Sequence, residues 1–137
     1  MKSTLKNFIL ASSFVLMAGS LNTQAACTIA NTVGSWRFFA VTGSPSFQGF
    51  GRGTIAFTST GALKTAESAL YLPNGQIIRF SKGQAKLTSA CRITGSLTTT
   101  VGVTITMVDG QMNSSKNVVS GVYKRSDGDV GLINLIR

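Results

Sequence analysis

Histidine is missing from the 137-residue sequence, and cysteine, tryptophan and acidic residues are scarce. The chain has two cysteines, one tryptophan and four Asp and Glu residues. Without an imidazole, the Ser-His-Asp and Cys-His arrangements of nucleophilic catalysis cannot be built, and most zinc sites lose their usual ligands. The sequence therefore predicts no catalytic residue, no metal site and no cofactor, and it argues against an enzyme.

The four acidic residues have ordinary explanations. Asp109, Asp127 and Asp129 each lie beside a glycine, where Asp is a common turn-forming residue. Glu67 is the exception, because it falls inside a predicted strand. If Glu67 faced the interior it would need a charged partner, so a buried Glu67–Arg pair lining a cavity is one interpretation. A solvated strand residue is the simpler alternative.

The beginning of the chain has the pattern of a bacterial secretory signal peptide. Two lysines precede an apolar run, and small residues occupy the −3 and −1 positions before a cleavage site between Ala25 and Ala26. The run is too short to span a bilayer, which argues against a membrane anchor, and no later stretch is long enough. We therefore predict a signal peptide over residues 1–25, one domain over residues 26–137, and a periplasmic or secreted location.

Cys27 and Cys91 both fall in the predicted mature domain. In an oxidising compartment, an even pair of cysteines predicts a disulfide bond. The alternative is a lipoprotein acylated on Cys27. However, Gln24 occupies the position where a bacterial lipobox usually has Leu, and acylation would leave Cys91 without a partner. The disulfide is therefore the preferred interpretation.

Alternating apolar and polar residues, interrupted by turn signals, predict an all-β domain. The alternation is clearest over residues 84–94, where it places Cys91 on the apolar face. No apolar period of 3.6 residues is found outside the predicted signal peptide, so almost no helix is expected. The predicted strands cover residues 35–42, 48–59, 62–72, 76–81, 84–94, 96–108, 118–124 and 130–136. Short connections favour a single antiparallel up-and-down barrel of about eight strands, because closure leaves no exposed edge.

Three glycines stand out in the second predicted strand. Gly49, Gly51 and Gly53 are two residues apart, so they face the same side of the sheet. Stacked glycines allow a neighbouring side chain to approach closely, or the strand to bend as the corners of a barrel require.

The first predicted strand opens with Gly34-Ser35-Trp36, which resembles the Gly-x-Trp start of lipocalins and related calycin barrels. In that family the Trp closes one end of the barrel and an Arg on the last strand packs over it. The resemblance therefore implies barrel-closing roles for Gly34, Trp36 and Arg137. The spacing from Cys27 to Trp36 is also similar to the avidin branch and to small bacterial calycin-like inhibitors of metalloproteases. The biotin-binding Trp residues of avidins are absent, so the resemblance implies an architecture and no ligand contacts.

These observations favour a non-enzymatic binding protein that holds a small apolar ligand in its barrel. The candidate ligand-binding residues are Phe38, Phe57, Glu67, Leu87 and Val103. The alternative is a protein-interaction module, either a calycin-type protease inhibitor that uses its N-terminal segment or a surface effector attracted to anionic partners by the net charge of +9. The basic residues are spread along the chain, so no specific nucleic-acid site is predicted.

Overall fold

Eight strands form one closed antiparallel barrel in the computed structural model, which describes residues 25–44 and 47–137. Each strand pairs with the next in sequence, and the last pairs with the first. The strands are β1 (Gly34–Ser44), β2 (Phe47–Phe57), β3 (Ala69–Tyr71), β4 (Ile77–Leu87), β5 (Arg92–Thr99), β6 (Thr104–Met112), β7 (Val118–Arg125) and β8 (Val130–Ile136). The predicted all-β, up-and-down barrel of eight strands is confirmed.

In residues 25–44 and 47–137, the remaining regular structure is two short 3₁₀ helices, Ile29–Thr32 and Thr65–Glu67. Among the described residues, no helix has both the length and the hydropathy needed to cross a membrane. The predicted signal peptide lies outside the described residues except for its last residue, so residues 1–25 stay a prediction.

Three predicted turns of the central part are wrong. The sequence predicts turns around Gly83, Gly95 and Gly110, but β4, β5 and β6 continue through these glycines. A side chain at Gly95 would clash with the carbonyl oxygen of Gln84, and one at Gly110 would lie 2.5 Å from the sulfur of Met107. Glycine is needed here for close packing of strands and not for reversal of the chain. The chain reverses instead at residues 88–91, 100–103 and 113–117.

The long strand predicted over residues 62–72 is also wrong, since its only strand is β3, preceded by isolated β-bridges at Ala62 and Leu63. The buried hydroxyl of Ser68 accepts a hydrogen bond from the Ala56 N–H at 3.0 Å and donates one to the Lys64 carbonyl at 2.8 Å. These side-chain bonds to the backbone replace a strand ladder and hold a turn. Glu67, expected within the strand, belongs to the 3₁₀ helix, is exposed, and forms an ion pair with Lys64 at 3.1 Å.

Trp36 lies near the end of the barrel at which β1 begins. Its side chain is buried, and the indole Nε1–H donates to the carbonyl of Thr32 at 2.8 Å. The guanidinium carbon of Arg137 lies 4.5 Å from the centroid of the indole, and the guanidinium donates to two backbone carbonyls, one of them that of Val33. Gly34 has a φ of 102°, a conformation that glycine adopts without strain, where the chain turns into β1.

The predicted disulfide between Cys27 and Cys91 is confirmed. It joins the segment before β1 to the turn between β4 and β5, and both cysteines are buried. The N–H of Cys27 also donates to the carbonyl of Ser89 at 3.1 Å. The N-terminal segment is therefore fixed at the closed end of the barrel, next to Trp36.

Removing the disulfide with the double substitution C27S/C91S should lower the free energy of unfolding by about 2–5 kcal/mol. The bond joins residues 64 positions apart, so it restricts the unfolded chain strongly. Urea unfolding followed by circular dichroism measures the change, and the reduced wild-type protein should behave like the variant. A loss below about 1 kcal/mol would contradict a structural role for the bond.

The substitution R137A should lower the free energy of unfolding by about 1–3 kcal/mol, because it removes the contact with Trp36 and two hydrogen bonds. The control R92A removes an exposed ion pair with Asp109 on the outer wall and should cost at most about 1 kcal/mol. Urea unfolding of both variants measures the two losses in free energy of unfolding. Equal losses would show that Arg137 is no more than a surface cation.

Candidate functional site

The barrel contains a cavity of about 690 Å³ in the half that lies away from Trp36. The lining reaches Pro73, Val101 and Asp129, which lie in or beside the turns at the far ends of the strands. These turns surround the mouth of the barrel. A cavity of this size is typical of sites that hold a small organic molecule.

The wall of the cavity is mostly apolar. Side chains from neighbouring strands all round the barrel contribute to it, among them Phe38, Ile55, Leu70, Phe80, Leu97 and Ile133. Apolar walls of this kind bind ligands through the removal of apolar surface from water. The site therefore suits an apolar molecule or the apolar part of an amphipathic one.

The glycines of β2 allow two side chains to pack closely against the strand. Gly49 and Gly51 lie on the cavity wall, and an added Cβ at Gly51 would lie 2.8 Å from the Cδ1 of Leu70. Two residues further along the same face, the ring of Phe38 packs so closely on Gly53 that an added Cβ would lie 2.6 Å from it. The row of glycines therefore accommodates the side chains of Leu70 and Phe38, which both line the cavity.

A smaller cavity of about 50 Å³ lies deeper in the barrel. Phe57, Ala85, Met107 and Leu135 line it, and Tyr123 is shared with the large cavity. Side chains therefore fill most of the closed half, as they can in an eight-stranded barrel.

The sequence-predicted ligand residues lie in four different places. Phe38 and Val103 line the large cavity, and Phe57 lines the small one. Leu87 packs against the buried core at the closed end of β4 and lines neither cavity. Glu67 is exposed on the outside of the barrel, so the interpretation of a buried Glu67–Arg pair is wrong.

Several polar residues at the mouth were not predicted from the sequence. The hydroxyls of Thr42 and Tyr123 form a hydrogen bond with each other, and Tyr123 also donates to the carbonyl of Val41 at 3.3 Å. Arg125 lies two residues beyond Tyr123 on the same inward row of β7 and also lines the cavity. The alternation that starts at Val119 could have placed this arginine on the inner face of the barrel.

Two carboxylates surround the arginine at the mouth. One terminal nitrogen of Arg125 forms an ion pair with Asp127, and the other lies 3.8 Å from an oxygen of Asp129. The Nε of Arg125 is buried and has no hydrogen-bond partner, the one such side-chain atom in the part of the chain that the structure describes. Asp127 and Asp129, predicted as turn residues, do lie in the connection between β7 and β8.

The acidic side chains all lie close to basic ones. Each of the four forms an ion pair with a basic residue: Glu67 with Lys64, Asp109 with Arg92, and Asp127 and Asp129 with Arg125. Within residues 25–44 and 47–137, no group of three or more acidic or cysteine side chains is placed to hold a metal ion.

Known proteins resemble this chain in structure. No protein-family model and no curated protein matches its sequence. A de novo designed fluorescence-activating β-barrel matches with a TM-score of 0.63 and 19% identity, over 81% of this chain and 98% of that one. A redesigned β-barrel bound to DFHBI matches with a TM-score of 0.62 and 16% identity, over 80% of this chain and 97% of that one. These likenesses show the fold alone: a closed, lipocalin-like eight-stranded barrel, with no particular branch indicated.

Proposed function

We propose that the protein is a non-enzymatic binding protein that holds a small apolar or amphipathic molecule in the open half of its barrel. The observation that carries the proposal is the cavity of about 690 Å³ with its mostly apolar wall. An apolar ligand that enters it removes surface from water, at about 25 cal/mol per Å². A designed barrel of similar architecture is bound to the small molecule DFHBI, which supports the same use of the fold here.

In this proposal, Phe38 and Val103 contact the ligand and Phe57 lies beneath it. Trp36 and Arg137 keep the opposite end closed, so the ligand enters and leaves at the mouth. Leu87 has no part in binding, because it lines neither cavity.

We also propose that the protein acts in the periplasm or outside the cell. The Cys27–Cys91 disulfide supports this location, because such bonds persist in oxidising compartments. The predicted signal peptide over residues 1–25 supplies the route of export.

The protease-inhibitor alternative receives less support. An inhibitor of that kind would need a free N-terminal segment, but residues 27–33 are tied down by the disulfide and by the hydrogen bond from Trp36 to Thr32. The segment packs at the closed end of the barrel, where it leaves little backbone to enter another protein's cleft.

Filling the cavity should abolish binding. Ala40 lines the cavity, whereas Val41 points outward from the next position of β1. The substitution A40W should weaken binding of the neutral dye Nile red at least about tenfold, and V41W, which adds an indole outside, should leave it unchanged. Dye fluorescence titrations measure the affinities, with circular dichroism to confirm folding. Wild-type protein that binds no dye, or equal losses in both variants, would contradict the proposal.

A second candidate function rests on the outer face of β7, β8, β1 and β2. These four neighbouring strands contain no acidic residue. Val41 pairs in register with Phe50 on one side and Leu132 on the other, and all three side chains are more than half exposed. Arg37 and Arg52 are exposed on the same face and form no ion pair among the described residues.

We propose that this face, called here the apolar face, binds an anionic lipid surface. Exposed apolar patches of this kind mark interaction sites. Basic side chains at their edge favour negatively charged headgroups, each contributing about 1 kcal/mol near the membrane. Charge complementarity is the argument for this partner over a second copy of the chain, which would bring like charges together.

Vesicle sedimentation tests this second function. The protein should bind vesicles that contain phosphatidylglycerol and should not bind pure phosphatidylcholine vesicles. The double substitution R37Q/R52Q should weaken binding at least about tenfold. The control K82Q/K86Q removes the same charge from exposed positions on β4 and should have a smaller effect. If both double variants lose the same affinity, general charge attraction explains the binding and the apolar face has no special role.

A further inference from the structure

The small cavity beneath the large one indicates the shape of the ligand. We propose that the ligand is an amphiphile with an unbranched alkyl tail, that the tail enters first, and that its end occupies the small cavity while the polar end stays at the mouth. This inference rests on the proposed binding function of the large cavity and deepens it by naming the class of ligand.

The two cavities are neighbours along the barrel. Five side chains line both of them, and these come from five different strands, so they form a ring around the interior. This ring, called here the waist, consists of Ile55, Leu97, Ile105, Tyr123 and Ile133. A group that passes the waist from the large cavity therefore reaches the small one.

Two large side chains of the waist lie against the barrel wall. A Cβ added at Gly131 would lie 2.6 Å from the ring of Tyr123, so this ring packs on the neighbouring strand β8. Its hydroxyl donates to the carbonyl of Val41 at 3.3 Å, which holds it there. In the same way, a Cβ added at Gly83 of β4 would lie 2.6 Å from a terminal methyl of Leu97. Glycine on the next strand lets each side chain turn away from the barrel axis, which leaves the waist passable for a slender group.

The small cavity suits an alkyl end. Phe57 and Leu135 border it, whereas the polar residues in its lining, Gln84, Thr94 and Ser96, are exposed on the outside of the barrel. Since one water-sized group needs about 10–15 Å³, a cavity of about 50 Å³ accepts about three or four groups of the size of a methylene. An apolar void of this kind stays dry, so an alkyl end that enters it gains contacts without displacing bound water.

The combined depth of the two cavities suits a chain. Along β5 the lining runs from Thr99 near the mouth to Ile93 in the small cavity, which is about 20 Å of strand and, at a tilt of about 40°, about 15 Å of the barrel axis. Polar side chains such as Thr42, Asn74 and Asp129 belong to the large cavity only. A polar group in the small cavity would lose water without gaining a partner, so the tail enters first and the polar end stays at the mouth.

The test compares two alcohols with the same number of carbons: dodecanol, which is a linear chain, and cyclododecanol, which is a ring too wide for the waist. Each alcohol competes with Nile red for the purified protein, expressed from its full coding sequence, and dye fluorescence measures the affinities. Wild-type protein should bind both alcohols, because the large cavity accepts either shape. The decisive quantity is how a change in the small cavity alters the preference between them.

The substitution A85V adds two methyl groups to the wall of the small cavity. It should weaken dodecanol binding about tenfold, because about two methylenes of the tail lose their place, and should leave cyclododecanol binding nearly unchanged. The control A40V makes the same change in the large cavity only and should alter both affinities by the same factor. The control A66V makes it at an exposed position of the second 3₁₀ helix and should alter neither affinity. Circular dichroism confirms that each variant is folded.

A chain-length series supplies a measurement on wild-type protein that needs no variant. From octanol to dodecanol, each added methylene should raise the affinity about threefold. From dodecanol to hexadecanol, the rise per methylene should fall below about 1.5-fold, because the tail has reached the bottom of the small cavity and the added groups lie at the mouth.

The outcomes separate the two proposals. If wild-type protein binds neither Nile red nor either alcohol, the binding function itself is overturned. If it binds them but A85V weakens both alcohols equally, or weakens neither, the tail does not occupy the small cavity and only the present inference is overturned. If A85V does not fold, the chain-length series decides, and a constant rise up to hexadecanol would overturn the inference.

Discussion

The pairing of β8 with β1 is the constraint on which the other features depend. It turns a row of sequential hairpins into a ring, and the ring separates an inner face from an outer one. Once the ring is closed, each strand sends alternate side chains into a space with two ends. Trp36 and Arg137 pack together near one end, and the large cavity extends to the turns at the other.

Closure of the barrel also explains why glycine is needed at particular positions. Gly95 and Gly110 lie close to bulges in the pairing of β5 with β6 and of β6 with β7. Strands must bend sharply at such positions if a small barrel is to close, and a side chain would obstruct the bend. On β2, Gly51 and Gly53 instead allow the side chains of Leu70 and Phe38 to approach the backbone of the strand. Glycine therefore serves both the bending of strands and the packing of side chains in this barrel.

The alternation of apolar and polar residues was enough to predict the barrel. Successive side chains of a strand point to opposite faces, so a strand with one buried face shows this alternation in its sequence. The turns were harder. Gly83 and Gly95 have the local appearance of turn residues, and only their contacts across the sheet show that they belong to continuous strands. The long strand predicted around Glu67 failed because the bonds of the Ser68 hydroxyl, which join distant parts of the chain, are invisible to a periodic pattern.

The site was predictable to the extent that it is apolar. Phe38 follows from strand alternation and lines the cavity. Val103 also lines the cavity, but it does so from the turn between β5 and β6 and not from the strand predicted over residues 96–108. The position of Arg125 in the cavity wall is harder to predict, because an arginine at the end of a strand and two aspartates in the next turn have an adequate local explanation. That Arg125 and Asp129 both line the cavity, with the Nε of Arg125 unpaired, follows from the closed geometry of the barrel.

The position of the single tryptophan affects how ligands of this protein can be found. Trp36 is buried at the sealed end, among contacts that a molecule at the mouth does not touch. The fluorescence emission of Trp36 will report unfolding, but it will change little when a colourless compound binds in the cavity. A screen that relies on intrinsic fluorescence would therefore give no signal even for a genuine ligand. A reporter dye or a mass measurement is the appropriate method of detection.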